Sequence, residues 1–228
     1  DVFYKGKLVD RNAPIRVKTC GRALKHTVHL DKVKAEQFVL PIGKKKTHVI
    51  GINPSQITTE DLAVSLQPAA NYVPTDGYSK VAAVERHHNT GKIGVAVAKG
   101  YGIRNGAVAS SVSHDSHNII VIGDNDRDMA LAVDEIIRTQ GGYTVVENGE
   151  VFETLPLPIM GLMSDAGFES VNETLGRMIK KAHEMGVPAD IEPFITLSFL
   201  ALPVIPTLRI TPRGLCLLTA KGPEILQE

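Results

Sequence analysis

The chain has 228 residues, 43% of them hydrophobic and 5% aromatic, with 25 basic and 25 acidic side chains and a formal net charge of zero. That size supports one large domain, or a domain with a smaller companion, around a genuine core. The charge balance excludes an electrostatic footprint for nucleic acid or an anionic membrane, the absence of tryptophan argues against a stacking platform for single strands, and no stretch reaches the roughly 18 apolar residues of a membrane span.

In chain order, residues 1–9 read as two short strands about a Lys5-Gly6 turn. A lone hairpin is marginal, so further chain is expected upstream; no signal-peptide pattern opens the sequence. Residues 26–30 alternate polar and apolar, and Asp31 is placed to cap a short helix through Phe38. Residues 43–46 read as a solvated basic turn. Residues 47–53 form a strand stopped by Pro54, residues 58–62 resemble a helix start, and residues 68–77 are loop. A boundary near residue 55 divides a β-strand segment, 1–54, from an α/β domain, 55–228. Cys20 and Cys216 stand far apart outside any motif, which sets the expectation of a reducing, cytoplasmic setting.

Strands are then expected over residues 80–86, 92–98 and 118–123, with 106–112 either a strand or a helix. The glycine-rich run 100–106 misses the dinucleotide fingerprint, because its third glycine comes one residue late, and reads as a turn. A helix follows over 125–140, capped by Asp124 or Asn125, with Met129, Ala132, Val133, Ile136 and Ile137 on one face and Gly141-Gly142 at its end. Asn148-Gly149 marks a hairpin joining 143–147 to 150–155. Ser164 or Asp165 is placed either to cap a helix or to reach a cleft. A second long helix spans 169–185. Residues 194–202, bounded by Pro203 and Pro206, read as an extended apolar wall. The expected fold class is therefore α/β in the mixed α+β sense, with a small β segment followed by a mixed-sheet domain carrying two long helices.

Two polar clusters break this apolar pattern. Ser113, His114, Asp115, Ser116, His117 and Asn118 stand at the mouth of the most apolar strand, and Glu85, Arg86, His87 and His88 end another. Two imidazoles three residues apart with an acid between them suit a metal site on a helix, acid–base chemistry, the edge of a ring, or a hydrogen-bonded turn, and the spacing alone leaves all four open. Clusters at strand ends are expected to converge on one cleft.

Four segments in order give the chain a family resemblance: Val84-Glu85-Arg86-His87-His88, the run from Ser110 to Asn118, Leu155-Pro156-Leu157-Pro158-Ile159 with Gly161-Leu162-Met163-Ser164-Asp165, and Thr196-Leu197-Ser198-Phe199-Leu200 with Leu202-Pro203-Val204-Ile205-Pro206. Over about residues 55–220 the chain resembles the C-terminal part of bacterial adenine deaminases, of the amidohydrolase superfamily. Residues 1 to about 55 resemble the strands that follow the catalytic barrel there. The resemblance implies a part of an enzyme hydrolysing adenine to hypoxanthine and ammonia, with an N-terminal metal-dependent barrel as its partner in the same protein. The long apolar C-terminal wall sets the expectation of self-association into a homo-oligomer, and the charge balance that of no nucleic-acid or membrane partner. The superfamily's His-x-His metal signature is missing: the close pairs are His26/His29, His87/His88 and His114/His117. No cofactor and no metal ligand are therefore expected in this part, and a divalent metal (manganese or iron, or else zinc) is expected in the full-length enzyme. The residues carried over as candidates for the substrate pocket are Glu85, Arg86, His87, His88, Ser113, His114, Asp115, Ser116, His117 and Asn118, and this chain alone is expected to be inactive. The alternative is a non-catalytic structural or oligomerisation module.

Overall fold

The computed structural model describes residues 1–10, 13, 21–43, 46–75 and 77–226. Cys20 and residues 44–45 of the expected basic turn lie outside the described residues.

The first two strands, β1 (Phe3–Tyr4) and β2 (Lys7–Leu8), make a small exposed hairpin of their own. The main sheet has eight strands: β3 (Thr47–Ile52), β4 (Thr59–Val64), β5 (Tyr78–Val84), β6 (Ile93–Lys99), β7 (Gly106–Ser110), β8 (Ile119–Gly123), β9 (Gly142–Glu147) and β10 (Glu150–Pro156). Their spatial order is β10-β9-β7-β8-β5-β6-β3-β4, and every neighbouring pair is antiparallel except β3 with β6. Helix α1 (Asp126–Thr139) covers one face. Helices α2 (Phe168–Glu184) and α3 (Pro193–Leu200) cover the other, with a three-stranded sheet of β11 (Leu208–Thr211), β12 (Gly214–Thr219) and β13 (Gly222–Ile225). The mixed α/β class expected from the sequence is observed.

Coverage on both faces explains why the central strands are apolar without alternation. Ile119 and Val121 of β8 cluster with Ala82, Val84, Ala107 and Ala109 and with Met129, Val133 and Ile136 of α1. Ile120 and Ile122 point the other way, clustering with Val81, Val108, Met178 of α2, Phe194 and Leu197 of α3, and Leu208, Ile210 and Leu215 of the small sheet. Gly94 of β6 lets that sheet come close: a Cβ there would lie 2.0 Å from Thr211 O and 2.8 Å from Gly214 Cα.

Helix α1 starts and stops as its sequence expects. The Asn125 side chain accepts a hydrogen bond from Asp128 N (2.8 Å), and Gln140 closes the helix in the left-handed region. The 143–155 hairpin also forms about Asn148-Gly149. Its outer strand β10 is an edge of the sheet, bulged between Val151 and Glu153 and ending in Pro156.

Three expectations are corrected. Residues 58–62 are not a helix start but part of β4, where pairing with β3 and the bond from Thr59 Oγ1 to Leu208 O (2.8 Å) override the local cap pattern. The 194–202 wall is not extended but is largely α3. The Glu192 carboxylate accepts from Ile195 N and Pro193 opens the first turn, so the two later prolines follow the helix rather than breaking it. The 31–38 helix shrinks to a 3₁₀ turn over Ala35–Phe38, uncapped by Asp31, whose amide and carboxylate both bond Asn89. Among the described residues no helix is long and apolar enough to cross a membrane.

The sheet's centre should dominate stability. Ile120→Ala, at a fully buried position, is expected to cost about 2–5 kcal/mol, read from urea unfolding with the m-value unchanged.

Candidate functional site

The antiparallel register of β5 with β8 sets Val84 opposite Ile119. The residues leaving β5 and those entering β8 are thereby laid side by side, and the two polar clusters meet at one end of the sheet.

Arg86 is the meeting point. It is 2% exposed and no carboxylate pairs with it among the described residues. Its guanidinium donates instead to backbone oxygens: Nε to His117 O, Nη1 to Thr27 O (3.2 Å) and Nη2 to Met160 O (3.0 Å). Burial pushes its pKa down to about 10, which leaves it a cation at neutral pH. Gly161 makes room for it: a Cβ there, at φ +71°, would stand 2.7 Å from Nη1.

Glu85 organises the loop after β5. One carboxylate oxygen accepts from His87 N (2.5 Å) and His88 N (3.0 Å), the other from Thr90 N (3.1 Å) and Thr90 Oγ1 (2.9 Å). Burial raises its pKa, but these donors outweigh burial and hold it below the usual carboxylate value. The His87 ring bonds across to the other cluster through Nε2 and Ser116 O (2.8 Å), while His88 is exposed.

In the second cluster Asp115 and Ser116 are exposed, His114 and His117 half-buried, and Ser113 and Asn118 buried. The loop folds on itself through His117 N to Ser113 O (2.6 Å) and rests on α3 through His114 N to Ser198 O (3.1 Å). The His114 ring lies 4.8 Å from that of Phe199. Asn118 accepts from Arg86 N (3.4 Å) and donates to Ser116 Oγ (3.1 Å). Three buried polar atoms here have no hydrogen-bond partner among the described residues: Ser113 Oγ, Ser198 Oγ and His117 Nδ1. Burial, then the Arg86 charge and the His114 ring, hold His117 below the ordinary histidine value, with Asp115 opposing.

This donor set does not fit a metal. The His114 and His117 rings are 6.5 Å apart and tilted by 58°, and His87 Nε2 is engaged by a backbone oxygen. Among the described residues no three His, Cys, Asp or Glu side chains are grouped to hold an ion. The arrangement suits hydrogen bonding and shape recognition.

All ten candidate residues thus lie at one end of the sheet. Thr27, Met160, Gly161, Ser198 and Phe199 complete the site without having been singled out for it; most act through backbone atoms, which leave no sequence signal. Lys80 was also missed as a polar centre. At 1% exposure it donates to Phe38 O (3.0 Å), Asn71 Oδ1 (2.6 Å) and Asp126 Oδ1 (2.6 Å), away from the clusters on the same strand. Ser164 accepts from Ala166 N, and Asp165 pairs with Lys25 (2.5 Å), so among the described residues neither of the two roles considered for that pair is seen.

Residues 56–221 match the family described as adenine deaminase C-terminal domain. A protein named adenine deaminase from Desulfitobacterium hafniense is 50% identical over 216 residues, covering 94% of this chain and 38% of the relative. One from Nitratidesulfovibrio vulgaris is 46% identical over 220 residues, again 94% and 38%. One named adenine deaminase 2, from Carboxydothermus hydrogenoformans, is 41% identical over 220 residues, 94% and 39%. The chain therefore spans less than two fifths of the length of these relatives.

Arg86→Leu should leave three backbone carbonyls without their donor and destabilise the fold by about 1–3 kcal/mol, measured by urea unfolding. A lowered His117 pKa means that the unfolded state takes the proton first, so stability falls as pH drops below the ordinary histidine value towards the folded one. His117→Gln should flatten the pH dependence of the urea midpoint between pH ~7 and ~5; an unchanged slope would show that His117 does not titrate as its surroundings require.

Proposed function

Because this chain belongs to the adenine deaminase C-terminal domain family, we propose that it is the C-terminal part of a cytoplasmic enzyme that hydrolyses adenine to hypoxanthine and ammonia. Its partner is an N-terminal amidohydrolase barrel in the same polypeptide. The divalent metal of the full-length enzyme, manganese or iron or else zinc, belongs to that barrel; the residues here do not fit it, and no step of this reading passes through it. The division of the chain between residues 54 and 55 is supported by the family match starting at 56, although β3, on its N-terminal side, lies inside the larger sheet between β6 and β4.

In this reading the outward side of the 114–118 loop, with His87 and His88 beside it, closes against the mouth of the barrel. It shields the site from bulk water and offers imidazole, hydroxyl and carboxylate edges to the purine. Arg86 touches no substrate; it is a positioning residue that holds His117 by its carbonyl. The observation that supports the reading is the convergence of both clusters, through Arg86 Nε to His117 O and through His87 Nε2 to Ser116 O at 2.8 Å. Exposed apolar side chains such as Phe168 (76%) and Ile195 (58%) support self-association.

A second reading, a non-catalytic structural or oligomerisation module, draws on Glu85. Its carboxylate is filled by its own loop and has no oxygen to spare for a ligand.

Ammonia release by the full-length polypeptide separates the two. His117→Ala and Asp115→Ala should each lower kcat/KM for adenine by about tenfold or more, or ~1.4 kcal/mol of transition-state binding, with the fold retained. Unchanged kinetics in both variants would leave the second reading standing.

A further inference from the structure

Next to the loop that carries His87 and His88 lies a groove of about 380 Å³, bordered by Glu85 and His88 and otherwise lined by residues that the deaminase reading does not use. Its size falls within the roughly 300–1,000 Å³ of small-molecule sites. The apolar part of its lining comes from the small sheet and the segment after α3: Cys216, Ile225, Pro223 and Pro203. Cys216 is buried, and burial raises its thiol pKa, so it serves as apolar wall and not as a nucleophile.

The polar groups of the lining are unbalanced. Lys92 and Arg213 both line the groove, one beside β6 and one in the β11–β12 turn. Both are exposed, and neither has a carboxylate partner among the described residues. The lining holds one acid, Glu85, and its two oxygens already accept four hydrogen bonds from residues 87, 88 and 90. Two cations against one ionised carboxylate leave a net positive charge above a surface that favours burial of carbon.

We propose that this groove is a binding site for a small organic anion with an apolar body, its carboxylate or sulfonate between Lys92 and Arg213 and its hydrocarbon against Cys216, Ile225 and the prolines. Neither half suffices alone. A solvated ion pair at an exposed lysine is worth little, and an apolar wall without the cations does not discriminate charge. Together they select an amphiphilic anion over its neutral and cationic counterparts.

Benzoate, benzyl alcohol and benzylammonium share one body and differ in charge, so they serve as probes, titrated against this chain while the amide signals of Lys92, Cys216 and Ile225 are followed by NMR. Benzoate should shift all three saturably, benzyl alcohol should bind several-fold more weakly, and benzylammonium should leave them unmoved. Raising the salt from low concentration to ~0.15 M should weaken benzoate. Lys92→Glu and Arg213→Glu, at exposed positions where refolding is not an issue, should each abolish the shifts, while Lys180→Glu on α2 should preserve them. The proposal is overturned if the three probes bind equally, if no probe saturates, or if the two charge reversals leave benzoate binding intact. None of these outcomes depends on adenine turnover.

Discussion

The Arg86 guanidinium sits just past the end of β5 with no carboxylate paired to it among the described residues, solvated by the carbonyl oxygens of Thr27, His117 and Met160. Sheet pairing fixes only neighbouring strands, and these three oxygens come from three separate loops outside the strand ladders. A directional cation between them sets the height and tilt of each loop over the sheet's end. Carbonyl dipoles do this without fixing a partner charge, so the loops are held while the rim keeps its own electrostatics. Gly161 belongs to the same constraint, since any side chain there meets the guanidinium.

The sheet beneath supplies the rigidity on which that arrangement relies. Because β8 is covered on both faces, moving its register by one residue would exchange the packing against α1 for the packing against α2, α3 and the small sheet. The two sets are similar in polarity but not in shape, and close packing resists the exchange. The pairing of Val84 with Ile119 is thereby held, and with it the distance between the clusters.

What could be read in the sequence was what local chemistry decides. The α1 stripe, its Asn125 cap and the Asn148-Gly149 turn each depend on residues within a few positions of one another. The 58–62 segment carries an equally good local start signal, yet Thr59 answers to Leu208, 149 positions away, and the strand wins. Helix α3 was hidden for a different reason: it is apolar on all sides, so it shows no helical period, and only Glu192-Pro193 marks its beginning. The polar clusters stood out because charges and imidazoles are rare beside a buried strand. Their convergence depends on the pairing of β5 with β8, which no local pattern encodes, and Thr27, Met160 and Ser198 leave no sequence signal because they contribute through backbone oxygens.

The outer strand β10 interrupts its ladder with a bulge, ends in a residue that has no amide hydrogen, and carries Glu150 and Glu153 along its length. A ninth strand arriving there would find the spacing broken, one donor missing, the Glu150 carboxylate exposed and that of Glu153 already held by Arg177. Chains with this border can crowd together without zipping into fibres, so whatever docks on that flank must be gripped by side chains and not by main-chain hydrogen bonds.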